Sequence, residues 1–321
     1  MAFEKVSPQH VDKIADRIAG AIVDHCYTHS EGGWLKSNPR VAVEVLLGHG
    51  KCYVMIETSC TRADLSCNDV DDIVHRIVGD VEIFVTICDQ DPELSKNQKD
   101  GIKAADNGLF RGCPPTYEQK LLTAFAESLY ERWPYDGKYI IDNTHFTVDG
   151  TRDDGKHGWA CCDLTICQSH ATEDEIRKHL DMLKPKYFKE CPDVDFSFHF
   201  PKLLINPLGP WTGGIDVDCG CTNRKLGSDM GDGVTGGGLM GKDLSKADVS
   251  VNIACFLKAV ASGQTVTAMC SIGDESVTFQ YADGHRETET FADIVEMARL
   301  YILTDCGGSF ERFAEWGLLR P

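Results

Sequence analysis

Fifteen cysteines occur in this 321-residue chain, yet nowhere do two of them form a C-x-x-C pair. Zinc sites need ligands paired at hairpin spacing, and the eleven histidines do not supply them either, so a structural zinc is not expected. An odd cysteine count, behind an N-terminus (MAFEKVSPQHVDKIAD) with no apolar signal core, implies reduced thiols and a cytoplasmic location. No apolar run approaches the roughly 20 residues that span a bilayer, which excludes a membrane partner of that kind. Positive charge is scarce: 32 basic against 50 acidic residues give a formal net charge of −18. That acidity argues against a nucleic-acid partner, for which a basic face is expected. Internal repeats and low-complexity tracts are absent as well.

What is present reads as an ordinary globular enzyme, 42% hydrophobic and 26% charged, and long enough for two or three subdomains. Residues 9–26 place Ile14, Ile18, Ala21 and Ile22 on one helical face. VAVEVLL (41–47) and CYVMIET (52–58), joined by GHGK, predict a β-hairpin, within which Glu44 and Glu57 are single carboxylates of the kind that usually face solvent. Asn68 is a candidate cap for the helix VDDIVHRIVG, followed by the strand VEIFVTI. The polar, glycine-punctuated stretch 88–112 reads as a long loop, either a lid or a plain surface excursion. A helix over 117–133, two strands, a helix opened by the capping box Thr172–Glu175, and a helix from about Lys246 to Lys258 follow. Two strands with an Asp283–Gly284 turn and a helix over FADIVEMARLYIL end the pattern. Strands and helices alternate without a regular β-α-β beat, so the expected class is α+β with mostly antiparallel sheets.

The most informative stretch is 205–250, which sets Arg224, Lys225, Lys242 and Lys246 among eleven glycines. Glycine lets main-chain N–H groups approach an anion, and the cations supply countercharge. Asp218, Asp243 and Asp248 in the same stretch could hold a divalent cation beside a phosphate chain. Gly236–Lys242, GGGLMGK, satisfies half of a phosphate-binding P-loop, but Asp243 follows where a serine or threonine is needed. No buried apolar strand precedes it, so a P-loop is rejected. The expectation that remains is a nucleotide polyphosphate site with magnesium.

Several separated segments, in order, resemble the methionine adenosyltransferase (S-adenosylmethionine synthetase) family. They are VSPQHVDKIADRI (6–18), RVAVEV…GKCYVMIETS, Gln90 with Asp91–Pro92, AADNGLFRG (104–112), YDGK (135–138) and INPLG…DCGCTNRK…GGGLMGKDLSKAD. The resemblance runs from residue 6 to about 250. It implies three related α/β subdomains: 1–8 plus 115–212, 9–90 plus 213–250, and a shortened third from 91–114 plus 251–321. It also implies formation of S-adenosylmethionine from ATP and L-methionine: sulfur attacks C5′, and the expelled tripolyphosphate is cleaved to pyrophosphate and phosphate. Such a reaction rests on preorganised cations and needs no general base, since a thioether carries no proton.

By the same resemblance His10 stands beside the ribose O5′ and triphosphate. Lys138, Arg224, Lys225, Lys242 and Lys246 match triphosphate-binding cations; with Lys242 and Lys246 four residues apart, one helical turn would point both at one anion. Asp12 and Asp248 match ligands of magnesium, two ions of it, and Glu44 the ligand of a potassium ion. Glu57, Gln90, Asp106 and Asp218 match the methionine side, where Lys246 also contributes. Asp136 matches a ribose contact, and Asp218 also borders the nucleotide. Trp211 stands where the family usually has phenylalanine against adenine. The resemblance further implies a homodimer, with a tetramer as the larger option, active sites between subunits, and 88–105 as a gating loop.

The chain departs from the pattern at Pro8–Gln9, which replace Glu–Gly, at Val11 for a proline and at Val249 for an arginine. The alternatives are a relative with altered nucleotide or methionine-analogue specificity, and a non-catalytic regulatory subunit.

Overall fold

The computed structural model describes residues 2–93, 102–147, 157–183 and 195–321. After strand β1 (Phe3–Val6), the expected first helix forms as α1 (Val11–His29), burying Ile14, Ile18, Ala21 and Ile22. A single turn, α2 (Gly33–Lys36), precedes the hairpin β2 (Val41–Gly48) and β3 (Lys51–Thr58). Helix α3 (Cys67–Val78) is capped by Ser66 rather than Asn68. The Ser66 hydroxyl accepts the Asp69 N–H, and the Asp69 carboxylate accepts the Ser66 N–H at 2.8 Å, so the earlier of two available boxes closes. Strand β4 (Glu82–Asp89) follows.

The stretch expected as loop to residue 112 ends instead in strand β5 (Gly108–Gly112), with Phe110 buried. Five residues carry too little alternation to be legible; a partner strand more than 150 positions downstream decides their state. Of the gating loop expected at 88–105, residues 94–101 lie outside the described residues. Then come α4 (Tyr117–Arg132), β6 (Gly137–Thr147), β7 (His157–Gln168) and α5 (Glu173–Met182), the last opened by Thr172 and Glu175 as expected. Strands β8 (Asp195–His199), β9 (Leu203–Ile205) and β10 (Cys219–Cys221) lead to α6 (Leu226–Met230). Helix α7 (Ala247–Ser262), strands β11 (Val266–Cys270), β12 (Ser276–Tyr281) and β13 (Arg286–Thr290), and helices α8 (Phe291–Asp305) and α9 (Phe310–Trp316) complete the chain.

Two compact units result. One comprises Met1–His10 and Thr116–Gly214 with Pro321, the other Val11–Pro115 and Ile215–Arg320. The first unit holds a sheet ordered β1-β6-β7-β8, with β9 also on β7, and α4 lies on β1 and β6. The second holds two sheets, β10-β2-β3-β4 and β13-β12-β11-β5. Helix α1 packs on the former, α7 on the latter, and α8 on α7. Pairing is antiparallel except at β3–β4, β7–β8 and β7–β9, which gives the expected α+β class. Among the described residues no helix is long and apolar enough to cross a membrane.

The core of the second unit is built around α1, which buries charge as well as hydrocarbon. Lys13 Nζ donates to Asp229 Oδ1 at 2.7 Å and to Asp16 Oδ2 at 3.1 Å, with all three side chains at most 1% exposed. Asp24, near the other end of α1, caps α9. Its carboxylate accepts the Phe310 N–H at 2.7 Å, the Glu311 N–H at 3.0 Å and the Ser309 hydroxyl at 2.7 Å.

Removing one member of a buried ionic cluster strands the others. Lys13→Met is therefore expected to lower unfolding stability by about 3–5 kcal/mol in urea titrations; a loss below about 1 kcal/mol would show that the cluster is not a structural anchor. Burial pushes the Asp24 carboxyl up to about 6 despite its donors. Its folded value lies above the unfolded one, so the stability it contributes is present below about pH 4 and lost as pH rises through about 6. Wild type should accordingly lose stability relative to Asp24→Asn between those limits; a pH-independent difference would count against this assignment.

Candidate active site

In the first unit, the end of β1 is locked to the start of β6. Ser7 donates its N–H to the Gly137 carbonyl at 2.9 Å, and Gly137 N–H donates to Ser7 Oγ at 2.9 Å. His10, 2% exposed, follows one turn later and donates its N–H to the Ser7 carbonyl at 3.0 Å. Asp136 is buried, and its Oδ2 accepts the Gly214 N–H at 3.0 Å. Gly213 adopts φ +66°, and a Cβ there would lie 2.7 Å from Asp136 Cβ and 2.8 Å from the Trp211 ring, so only glycine lets the chain fold back here. Trp211 is oriented by Nε1–H donation to Asn206 Oδ1 at 3.2 Å, and Lys138 Nζ lies 5.8 Å from its ring centroid. The geometry thus gathers Asp136, Lys138 and Trp211: an acceptor, a cation and an aromatic face.

In the second unit, α1 presents two carboxylates one turn apart to the chain after β10. Asp12 Oδ1 accepts the Cys221 N–H at 3.0 Å and lies 3.5 Å from Arg224 Nη1; Asp16 Oδ1 accepts the Asn223 N–H at 2.8 Å. A Cβ on Gly220 would stand 2.5 Å from the Val11 carbonyl carbon, so glycine permits β10 to cross the start of α1. Asn223 then clasps Met240, accepting its N–H at 2.8 Å and donating to its carbonyl at 3.2 Å. This ties the Arg224–Lys225 segment to the one that carries Lys242.

Lys242 and Lys246 do not share a helical turn. Lys242 forms an extended bridge with Ala42 of β2, and its Nζ pairs with Asp248; Lys246 is the N-cap of α7. Asp243 causes the break: its Oδ2 accepts the Val41 N–H at 2.9 Å and its Oδ1 the Ser245 N–H at 2.8 Å, which turns the chain before the helix can begin. Glu44 on β2 accepts the Thr222 hydroxyl through Oε2.

A small polar pocket opens between the start of β2, the ends of β3 and β4, and the start of α7. Arg40, Glu57, Gln90, Asp243, Ser245 and Lys246 line it. Three of these, Glu57, Gln90 and Lys246, are expected site residues drawn together from positions up to 189 apart. Asp106 and Asp218 do not line it. Each turns its Oδ1 to the next residue's N–H at 2.8 Å, and only Ala105 of the AADNG segment reaches the wall. Sequence reasoning missed Arg40, Asp243 as a structural hub, and Ser245. All three stand inside motifs quoted above, Arg40 at the start of RVAVEV and Asp243 and Ser245 in GKDLSKAD, but no spacing along the chain brings Arg40 to the other two. Among the described residues no group of three or more His, Cys, Asp or Glu side chains gathers as a metal site, and the cysteines are free thiols.

No protein-family model matches the chain. The S-adenosylmethionine synthase of Pelagibacter ubique is 29% identical over 286 residues, covering 78% of this chain and 70% of that protein. The S-adenosylmethionine synthase of Rhodopseudomonas palustris is 25% identical over 341 residues, covering 92% of this chain and 83% of that protein. Among solved structures, an unusual S-adenosylmethionine synthetase from Campylobacter jejuni aligns with a TM-score of 0.63 at 19% identity, covering 99% of this chain and 94% of the other. That likeness establishes the fold, in agreement with the three-sheet α+β architecture above. Over most of its length the chain is thus similar in sequence to S-adenosylmethionine synthases and in fold to an S-adenosylmethionine synthetase.

Proposed function

We propose that this protein is a cytoplasmic methionine adenosyltransferase: methionine sulfur attacks C5′ of ATP and expels tripolyphosphate, which the same enzyme cleaves to pyrophosphate and phosphate. The observation that carries this reading is the pocket in which Glu57, Gln90 and Lys246 converge, because an acid, an amide and a cation suit a zwitterionic amino acid. Asp136, Lys138 and Trp211 suit a nucleoside: a carboxylate for ribose hydroxyls, a cation for phosphate and an indole for the base. Arg224, Lys225, Lys242 and Lys246 supply the charge that a polyphosphate leaving group needs, and His10 is the donor assigned to O5′.

Asp12 and Asp248 offer hard carboxylate oxygens beside Arg224 and Lys242, a donor set that fits magnesium shared with phosphate oxygens. Glu44 with the Thr222 hydroxyl fits a potassium ion. These ions would neutralise phosphate charge and order the site. Leu46, Tyr53, Met55 and Phe84 are exposed together on the outer face of β2, β3 and β4, Tyr53 stacked on Phe84 at 4.6 Å. An apolar face of that kind supports association with a second copy of the chain.

The purified protein, given ATP, methionine, Mg²⁺ and K⁺, should yield S-adenosylmethionine by mass spectrometry, with one phosphate and one pyrophosphate per product. His10→Ala and Lys246→Ala should each lower kcat by roughly 10²–10³-fold, the effect of deleting one transition-state donor, with little change in the urea midpoint. Phosphate release without S-adenosylmethionine, or no turnover by folded protein, would refute the assignment.

A further inference from the structure

We propose that Arg40 is a specificity residue of the pocket in the second unit, pairing with the carboxylate of the bound amino acid. The inference rests on the reading that this pocket takes methionine. Arg40 is anchored through its main chain: its N–H donates to Ser59 Oγ at 3.0 Å, and its carbonyl accepts the Ser59 N–H at 2.9 Å. Its side chain is only 13% exposed, and Nη1 is buried with no hydrogen-bond partner among the described residues. Asp243 Oδ1 lies 3.7 Å from Nη1, near enough for charge balance and too far for a hydrogen bond. That carboxylate already serves the main-chain N–H groups of Val41 and Ser245. The guanidinium is held in place by charge while Nη1 keeps its donor capacity.

Two further polar atoms of the same pocket are in the same condition. Among the described residues, Ser245, 3% exposed, has Oγ buried without a hydrogen-bond partner, and so has Gln90 at Oε1. Buried polar groups are nearly always satisfied in a folded protein, so three unpartnered ones around one cavity point to a ligand that satisfies them. The guanidinium fork and the Lys246 ammonium call for an anion, and the planar fork matches a carboxylate in two-point fashion. Glu57 and Asp243 stand in the same walls and oppose a multiply charged phosphate. A zwitterion satisfies both signs: its carboxylate on Arg40 and Lys246, its ammonium on Glu57.

The test compares L-methionine with L-methioninamide, which keeps the ammonium and removes the negative charge. Calorimetric titrations use the full-length protein saturated with the non-hydrolysable β,γ-imido analogue of ATP. Wild type should bind methionine roughly 10- to 100-fold more tightly than the amide, the range for a charge-assisted hydrogen bond. Arg40→Met should erase that preference while holding amide affinity within about threefold, and Arg40→Lys should restore part of it. Should Arg40→Met fail to fold, Arg40→Gln carries the same comparison. An unchanged preference, an equal loss for both ligands, or wild type that binds neither would overturn the assignment. Methionine binding without turnover would sink the proposed reaction and leave Arg40 standing; turnover with an unchanged preference in Arg40→Met would do the reverse.

Discussion

The second unit depends on helix α1 being buried while it carries charge. Lys13, Asp12, Asp16 and Asp24 all lie on that helix, and each is satisfied by a segment distant in sequence. Hydrocarbon alone would let α1 rotate or slide with little penalty; a buried ion that must meet a fixed partner does not allow it. The Lys13–Asp229 contact holds the chain after Arg224–Lys225, and Asp12 and Asp16 receive the N–H groups just before it. The helix is therefore both the centre of the core and the template on which the cation-bearing loop is laid.

A second constraint runs through Asp243. It joins the edge of β2 to the cap of α7, so the hairpin that carries Glu44 and Glu57 and the segment that carries Lys242, Lys246 and Asp248 share one frame. Glycine at 220 and 241 permits the close passages that this frame requires: β10 over the start of α1, and residue 241, at φ +76°, against the Val43 carbonyl. The cations are held beside acids, Arg224 with Asp12 and Lys242 with Asp248, so they are oriented before any ligand arrives.

Much of this was legible in the sequence because it is local. The α1 face, the β2–β3 hairpin, the Thr172 capping box and the Asp283–Gly284 turn each depend on residues within a few positions of one another. The ordered motifs carried the family resemblance even where identity to relatives falls to 25%. The failures were non-local or competitive. Strand β5 exists because β11 pairs with it, and Ser66 takes the cap from Asn68 because Asp69 closes a reciprocal box with it. Lys242 and Lys246 separate because Asp243 engages a strand two hundred residues upstream.

By itself, the sequence determined the α+β class, the positions of the strong periodic elements, the net acidity, and the concentration of glycine and cations in one stretch. Those are properties of composition and short-range spacing, which survive without knowledge of the fold. Only the tertiary structure decided which charges meet. It placed Arg40 with Ser245 and Gln90 around one pocket that Asp106 and Asp218 do not line, and paired Arg224 with Asp12 and Lys242 with Asp248. Electrostatic and hydrogen-bond partnerships act over a few ångströms in space, and spacing along the chain does not encode that distance.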